Sequence, residues 1–475
     1  MNGLRPDYPP PVSPTPSAGP DRVGRVTIPT SQPVFVVGGP RSGTTLLSVM
    51  LAAHSAFDCG PETHFLSRWA RMARSERERI LDPADWPERA TAYVTSLSLG
   101  KQPICPMYGL SVEDVWGWLA DRPPSLATML ESLTAQRAGR TGAPRWVEKT
   151  PRHLEVPDLI TDTWPDARIV RIVRDPRDAA VSLTKVPFGT ASLLTNLSVL
   201  ARMNEAAADF YRESPQALTV RYEDLVATPE RELRRICDFV GVEYEPAMVS
   251  DRSGATGVAA SHEWWKGDAT GPLDRSRSGR WVEEMPPAVQ HYAALNMGPM
   301  LEDHGYGEAV LPARKLAIVP AGDALNARYD DVLLRLAAAD VAVRRPIPTA
   351  IEDLHLQEPL VFFGVVGQLD PDRDRPAGQR VIDIARLGSL LLTRRLQGRP
   401  VVWVRRLSLI RRHANDAGER FIARMLQVLA VSMEAADLPD LVGADGVGSA
   451  DAGSAGTGAS TDTDSADADT SHPDD

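Results

Sequence analysis

The sequence predicts an α/β fold, a P-loop-like parallel sheet flanked by helices. Short, continuously apolar runs alternate with helical patterns, and a glycine-rich turn joins the first run to the first helix. VFVVG at Val34 to Gly38 reads as a buried strand, and TTLLSVMLAAH as the helix after the turn. ARIVRIVR, Ala167 to Arg174, is a second buried strand, with a helix starting near Asp178. LTVRYEDL, Leu218 to Leu225, is a third, leading into the helix PERELRRICDFVG. That pattern closes near Gly307.

A second α/β stretch follows. KLAIVPA, LVFFGVVG and PVVWVRR read as strands between helical patterns, the last of which ends near Ala436, and no chemical motif accompanies them. The expected organisation is a disordered Pro-rich segment over 1–30, a motif-bearing domain over 31–308, a smaller C-terminal α/β domain over 309–441, and a disordered acidic tail over 442–475.

Composition narrows the function classes. The formal charge is −11, but Gly443 to Asp475 holds eight Asp and no Lys or Arg, so the rest carries only about −3. A nearly neutral body argues against a broad nucleic-acid-binding face. Three scattered cysteines, Cys59, Cys105 and Cys237, form neither a disulfide framework nor a zinc pattern, and they suit a reducing cytoplasm. Nine histidines lie without ligand spacing, so no metal is expected. There is no signal-peptide pattern and no apolar run long enough to span a bilayer, so a cytoplasmic location is expected. Nothing in the sequence fixes the oligomeric state.

The sharpest motif is Gly38-Gly39-Pro40-Arg41-Ser42-Gly43-Thr44-Thr45, between a strand and a helix. Such a turn aims backbone N–H groups and a helix N-terminus at one anion, and Ser42, Thr44 and Thr45 add hydroxyls. Its glycine spacing mimics a nucleoside-triphosphate P-loop, but Thr44 stands where that motif requires Lys, and Arg41 supplies the cation from inside the loop. The second motif is VRDPRDAAVS, Val173 to Ser182. Arg174 leaves the end of a buried strand, where α/β sheets bind ligands, and Ser182 follows in the next helix, so both could hold a second phosphate. Surface pairing of Arg174 and Arg177 with Asp175 and Asp178 is the competing reading.

PRSGTTLL resembles the 5′-phosphosulfate loop of sulfotransferases that use 3′-phosphoadenosine 5′-phosphosulfate (PAPS), and VRDPRDAAVS resembles their 3′-phosphate motif. TVRYEDLVATPERELRRICDFVG is similar to the segment after it, which implies Tyr222 beside the adenine. RSGRW, Arg277 to Trp281, resembles the loop that closes over the 3′-phosphate, which implies contacts from Ser278, Gly279 and Arg280. HSAFDCGPET, His54 to Thr63, is similar to the HPxxxCGEET of the tyrosylprotein-sulfotransferase-like and bacterial branch, with Pro61 replacing a Glu. These matches come in family order over about residues 33–306.

The resemblance implies a sulfotransferase domain with PAPS as co-substrate, no metal, and an acceptor hydroxyl on a carbohydrate, glycolipid, small molecule or peptide tyrosine. It makes Glu62 the general base and Lys149, in WVEKTPRHL, the leaving-group partner beside Arg41. His64 and His153 lie near the motifs and could assist, and Trp264 and Trp265 could stack on an acceptor. The rival readings are a P-loop-type kinase and an inert nucleotide-binding interaction protein.

Overall fold

The computed structural model describes residues 32–252, 257–258, 269–319 and 330–344, and three short strands at 360–363, 401–404 and 431–433. The N-terminal 31 residues, the acidic tail, Trp264, Trp265 and most of 309–441 lie outside the described residues. The chain divides into two compact units.

The first unit is built on β1 (Val34–Gly38), β2 (Phe57–Cys59), β5 (Arg145–Lys149), β6 (Arg168–Val173) and β7 (Ala217–Arg221), with a small antiparallel pair, β3 (Ser98–Leu99) and β4 (Gln102–Pro103), outside the main sheet. The main sheet runs β2-β5-β1-β6-β7, and every pairing is parallel. Parallel strands covered on both faces read as continuous apolar runs, which is why β1 and β6 were legible. Phe35 and Val37 face one apolar cluster and Val34 and Val36 the other, so alternate residues of β1 feed the two layers of helices.

Two boundaries differ from the sequence expectation. The strand expected over Leu218 to Leu225 stops at Arg221, and a helix, Tyr222–Ala227, starts at once. Glu223 and Asp224 fall in its first turn, where the helix dipole favours carboxylates. The helix expected near Asp178 starts at Pro176, because the Asp175 side chain accepts from the Arg177 N–H as N-cap and proline suits the first helical position.

Farther along come β8 (Arg314–Val319), β9 (Val341–Arg344), β10 (Leu360–Phe363), β11 (Val401–Val404) and β12 (Val431–Met433). In the second unit β12, β11, β10 and β8 pair in parallel in that order. Helix Asp330–Ala338 and β9 belong instead with the first unit: Ser192 Oγ donates to Asp330 at 2.8 Å and His291 meets Asp340 at 3.0 Å. The stretch expected as one domain over 309–441 is therefore shared between the two units.

Candidate active site

In a parallel sheet, ligands bind beyond the C-terminal ends of the strands. Here all five ends carry residues of interest. β1 ends at Gly38, β5 at Lys149, β6 just before Arg174 and β7 just before Tyr222, while Glu62 lies three residues past β2. They surround a cavity of about 720 Å³ lined by Arg41, Gly43, Thr44, Thr45, Glu62, Arg174, Ser182, Tyr222 and Arg280, among others.

The loop after β1 is shaped by close approach. A Cβ on Gly38 would meet the Ile172 carbonyl oxygen at 2.4 Å, and one on Gly43 the Tyr222 ring at 2.5 Å. Gly43 is left-handed at φ 99 and caps helix Thr44–Ala52 with no side-chain bond, so the first-turn amides point at the cavity uncapped. Arg41 is left-handed too, at φ 65, a conformation that costs a side-chain-bearing residue about 1–2 kcal/mol. His64, at φ 52, is another of the four such non-glycine residues described, so two of the four line one cavity.

The motif after β6 fastens that loop to a distant one. Arg174 donates to the Arg41 carbonyl at 3.0 Å and to the Arg277 carbonyl at 2.6 Å, with its guanidinium 4.7 Å from the Tyr222 ring centroid. Asp178 accepts from the N–H groups of Gly279 at 2.7 Å and Trp281 at 2.9 Å, and Arg177 covers the Trp281 ring at 3.6 Å. Arg41 Nε donates to Ser182 Oγ at 3.0 Å. Arg174 Nε and Ser278 Oγ are buried without a hydrogen-bond partner. Both lie beside one loop, and buried donors in folded proteins are otherwise nearly always paired. The surface pairing considered for this motif occurs only for Arg177 with Asp175, at 2.7 Å, and that pair is buried.

The Glu62 end is built differently. Lys149 is 0% exposed and its ammonium donates to Glu62 Oε1 at 2.8 Å. The other Glu62 oxygen stands 3.4 Å from His64 Nε2. Burial pushes the His64 pKa down to about 4, against the pull of Glu62, so its ring is neutral at pH 7. Behind this group lies a dry network centred on Glu148. One Glu148 oxygen accepts from the hydroxyls of Thr63 and Thr150, each at 2.7 Å, and the other meets His153 Nδ1 at 2.8 Å. The Leu66 N–H donates to His153 Nε2, so the ring proton sits on Nδ1 and points at Glu148. Thr150 Oγ1 in turn accepts from the N–H groups of Thr63 and His64. Thr63 and Thr150 directly follow Glu62 and Lys149, so a single buried carboxylate ties together the backbones that carry the ion pair.

Residues 33–246 match the family model described as "Sulfotransferase family". This stretch is a sulfotransferase-family domain. Protein-tyrosine sulfotransferase 1 of Danio rerio is 26% identical over 290 residues, covering 58% of this chain and 72% of that protein. The nodulation protein NoeE of Sinorhizobium fredii is 26% identical over 326 residues, covering 62% and 71%. Among solved structures, the sulfotransferase domain of the Synechococcus PCC 7002 olefin synthase is 23% identical, covers 59% of this chain and 97% of that domain, and has a TM-score of 0.42. The family match makes the domain over 33–246 that of a sulfuryl-transferring enzyme. Among the described residues no helix is long and apolar enough to cross a membrane.

Within the sulfotransferase domain, most residues singled out from sequence share the one cavity. Ser42 is buried within its loop, Ser278 and Gly279 are outside the lining although Arg277 and Arg280 on either side are in it, and Lys149 is buried against Glu62. His153 is wholly buried in the Glu148 network, away from the cavity lining. Asp178 and Glu148 were missed as organising residues. The signal for Glu148 was a run of polar residues (Glu148, Lys149, Thr150, His153) in a segment that also had to form a strand.

Proposed function

We propose that this enzyme moves the sulfuryl group of PAPS onto an acceptor hydroxyl, with Glu62 as general base. The observation that carries the reading is the meeting, in one cavity, of a cationic anion-binding loop and a carboxylate held by a buried lysine. The amides and hydroxyls of Ser42 to Thr45, with Arg41, grip the 5′-phosphosulfate. The spare donors Arg174 Nε and Ser278 Oγ, with Ser182, Gly279 and Arg280, take the 3′-phosphate, and Tyr222 packs against the adenine. The hydroxyls, guanidinium groups and amides present suit a doubly phosphorylated nucleotide, and the P-loop lysine of kinases has no counterpart at Thr44.

Glu62 takes the acceptor's proton as its oxygen attacks sulfur. Lys149, through its 2.8 Å contact, keeps Glu62 aimed beforehand. As Glu62 becomes neutral its hold on the ammonium weakens, and Lys149 together with Arg41 meets the charge growing on the departing oxygen.

The test is transfer of ³⁵S from labelled PAPS by the purified chain, first into cell extract and then into the acceptor so identified. Glu62→Gln should cut turnover by roughly 10²–10⁴ and leave affinity for adenosine 3′,5′-bisphosphate near wild type. Turnover within a few-fold of wild type would remove Glu62 from the role of base.

A further inference from the structure

Past Glu62 the cavity changes character. Its wall there is made by Leu99 of β3, Pro151, Pro187 and Phe188 after helix Pro176–Leu183, and Val199 and Met203 of helix Leu193–Glu205. Leu99 and Pro151 belong to the Glu62 end: Arg68, four residues after His64, donates to the Ser98 carbonyl at 2.7 Å, and Thr150, just before Pro151, accepts from the His64 amide at 3.2 Å. Helix Leu193–Glu205 packs against the turn that starts at Pro151 and, through Leu200 and Asn204, reaches Gly39, so Val199 and Met203 line the cavity between the two ends. Phe188 is 55% exposed, so a large apolar ring stands at the rim.

The cations of the lining do not offset this. Arg41 and Arg174 sit at the phosphate loop. Arg152 holds Glu155 at 3.1 Å, Arg277 holds Asp274 at 3.1 Å and Arg280 holds Glu284 at 2.6 Å. Each of these three already faces a carboxylate of its own chain, and the lining adds the acids Glu62 and Asp178. A peptide with acids around its tyrosine would meet compensated charge and apolar surface. A sugar would bring several hydroxyls to a wall whose hydrogen-bonding side chains, among the described residues at this end, are His64, Glu62 and Arg152, and buried hydroxyls without partners are penalised.

Resting on the transfer reading above, we propose that the acceptor is an alcohol or phenol with an apolar body. The hydroxyl faces Glu62 and the body lies along Leu99, Phe188, Val199 and Met203. The step is sulfuryl transfer: the acceptor oxygen bonds to sulfur, its proton passes to Glu62, and the bond from sulfur to the phosphate-bridging oxygen breaks.

The full chain is assayed with PAPS against 1-naphthol, 1-dodecanol, cellobiose and a tyrosine peptide flanked by Asp and Glu, while bisphosphate binding is followed separately by calorimetry. Support is a kcat/KM for an apolar acceptor at least tenfold above the sugar and the peptide, with a roughly tenfold loss in Val199→Asn and Phe188→Ser at unchanged bisphosphate affinity. A preference for the peptide or the sugar overturns the acceptor class and leaves sulfuryl transfer standing. So does bisphosphate binding with no transfer to either apolar acceptor. Failure to bind the bisphosphate sinks the transfer reading and this proposal with it.

Discussion

The loop after β1 and the loop after β2 face the same cavity but are held in opposite ways. The first depends on backbone: glycines that allow close approach, a left-handed Arg41, and amides left uncapped at a helix start. The second depends on side chains in a dry interior, with Glu148 taking bonds from Thr63, Thr150 and His153. A backbone-built loop keeps its side chains available for a ligand. A loop anchored by buried side chains holds one carboxylate in place, at the cost of making several other residues indispensable.

The broadest effect that would break the contrast comes from Glu148→Gln, which should lower both stability and turnover. Thr150 Oγ1 already accepts two amides, so its hydroxyl must donate, and His153 must donate from Nδ1. A glutamine amide turned either way leaves one donor facing another donor. Leaving one buried group unsatisfied costs about 1–3 kcal/mol, to be read from urea unfolding. Turnover should fall along with stability, while bisphosphate affinity stays near wild type. A matching fall in affinity would mean that the two loops are not held independently.

Arg174→Ala addresses the other side. It removes a charge-assisted contact worth about 1.5–3 kcal/mol, so the preference for adenosine 3′,5′-bisphosphate over AMP should shrink roughly tenfold or more. The ratio matters, because loosening the loop contacts of Arg174 weakens both ligands alike. An unchanged ratio by calorimetry would displace Arg174 from the 3′-phosphate.

The smallest effect concerns His64. Its folded pKa of about 4 lies below the unfolded value near 6.5, so between these values the unfolded chain binds more protons. Stability attributable to this ring is therefore complete above about pH 6.5 and is lost as pH falls toward 4. His64→Asn should flatten the decline of Tm across that window, with the rest left partly to His304, which burial also lowers to about 4. An identical slope in the variant would show that the ring does not report on the Glu62 end.

The backbone-built loop was legible from sequence and the side-chain-anchored one was not, for a physical reason. Glycines, hydroxyls and Arg41 lie within eight consecutive residues, and their spacing alone encodes a turn that faces an anion. Glu148 acts through partners on two segments, and its burial follows from β5 lying between β1 and β2. Strand order is a tertiary fact, so WVEKTPRHL disclosed Lys149 but not what fixes it. The same limit applied at Tyr222. Its segment has the composition of a strand, yet the acids that follow suit a helix start.

Asp178, Arg174 and Arg177 also decide where the molecule can be cut. The region that matches the family ends at residue 246, but the groups these residues bind come later: the Arg277 carbonyl, the Gly279 and Trp281 amides, and the Tyr306 carbonyl. Tyr306 also sends its hydroxyl to Glu223 at 2.8 Å. A fragment ending at 246 would leave buried arginines and carboxylates facing water or nothing, whereas one reaching past Tyr306 keeps each of these partners. Those hydrogen bonds alone carry the indispensable chain some sixty residues beyond the point where family resemblance stops, and the bonds from Ser192 to Asp330 and from His291 to Asp340 carry it further, through β9.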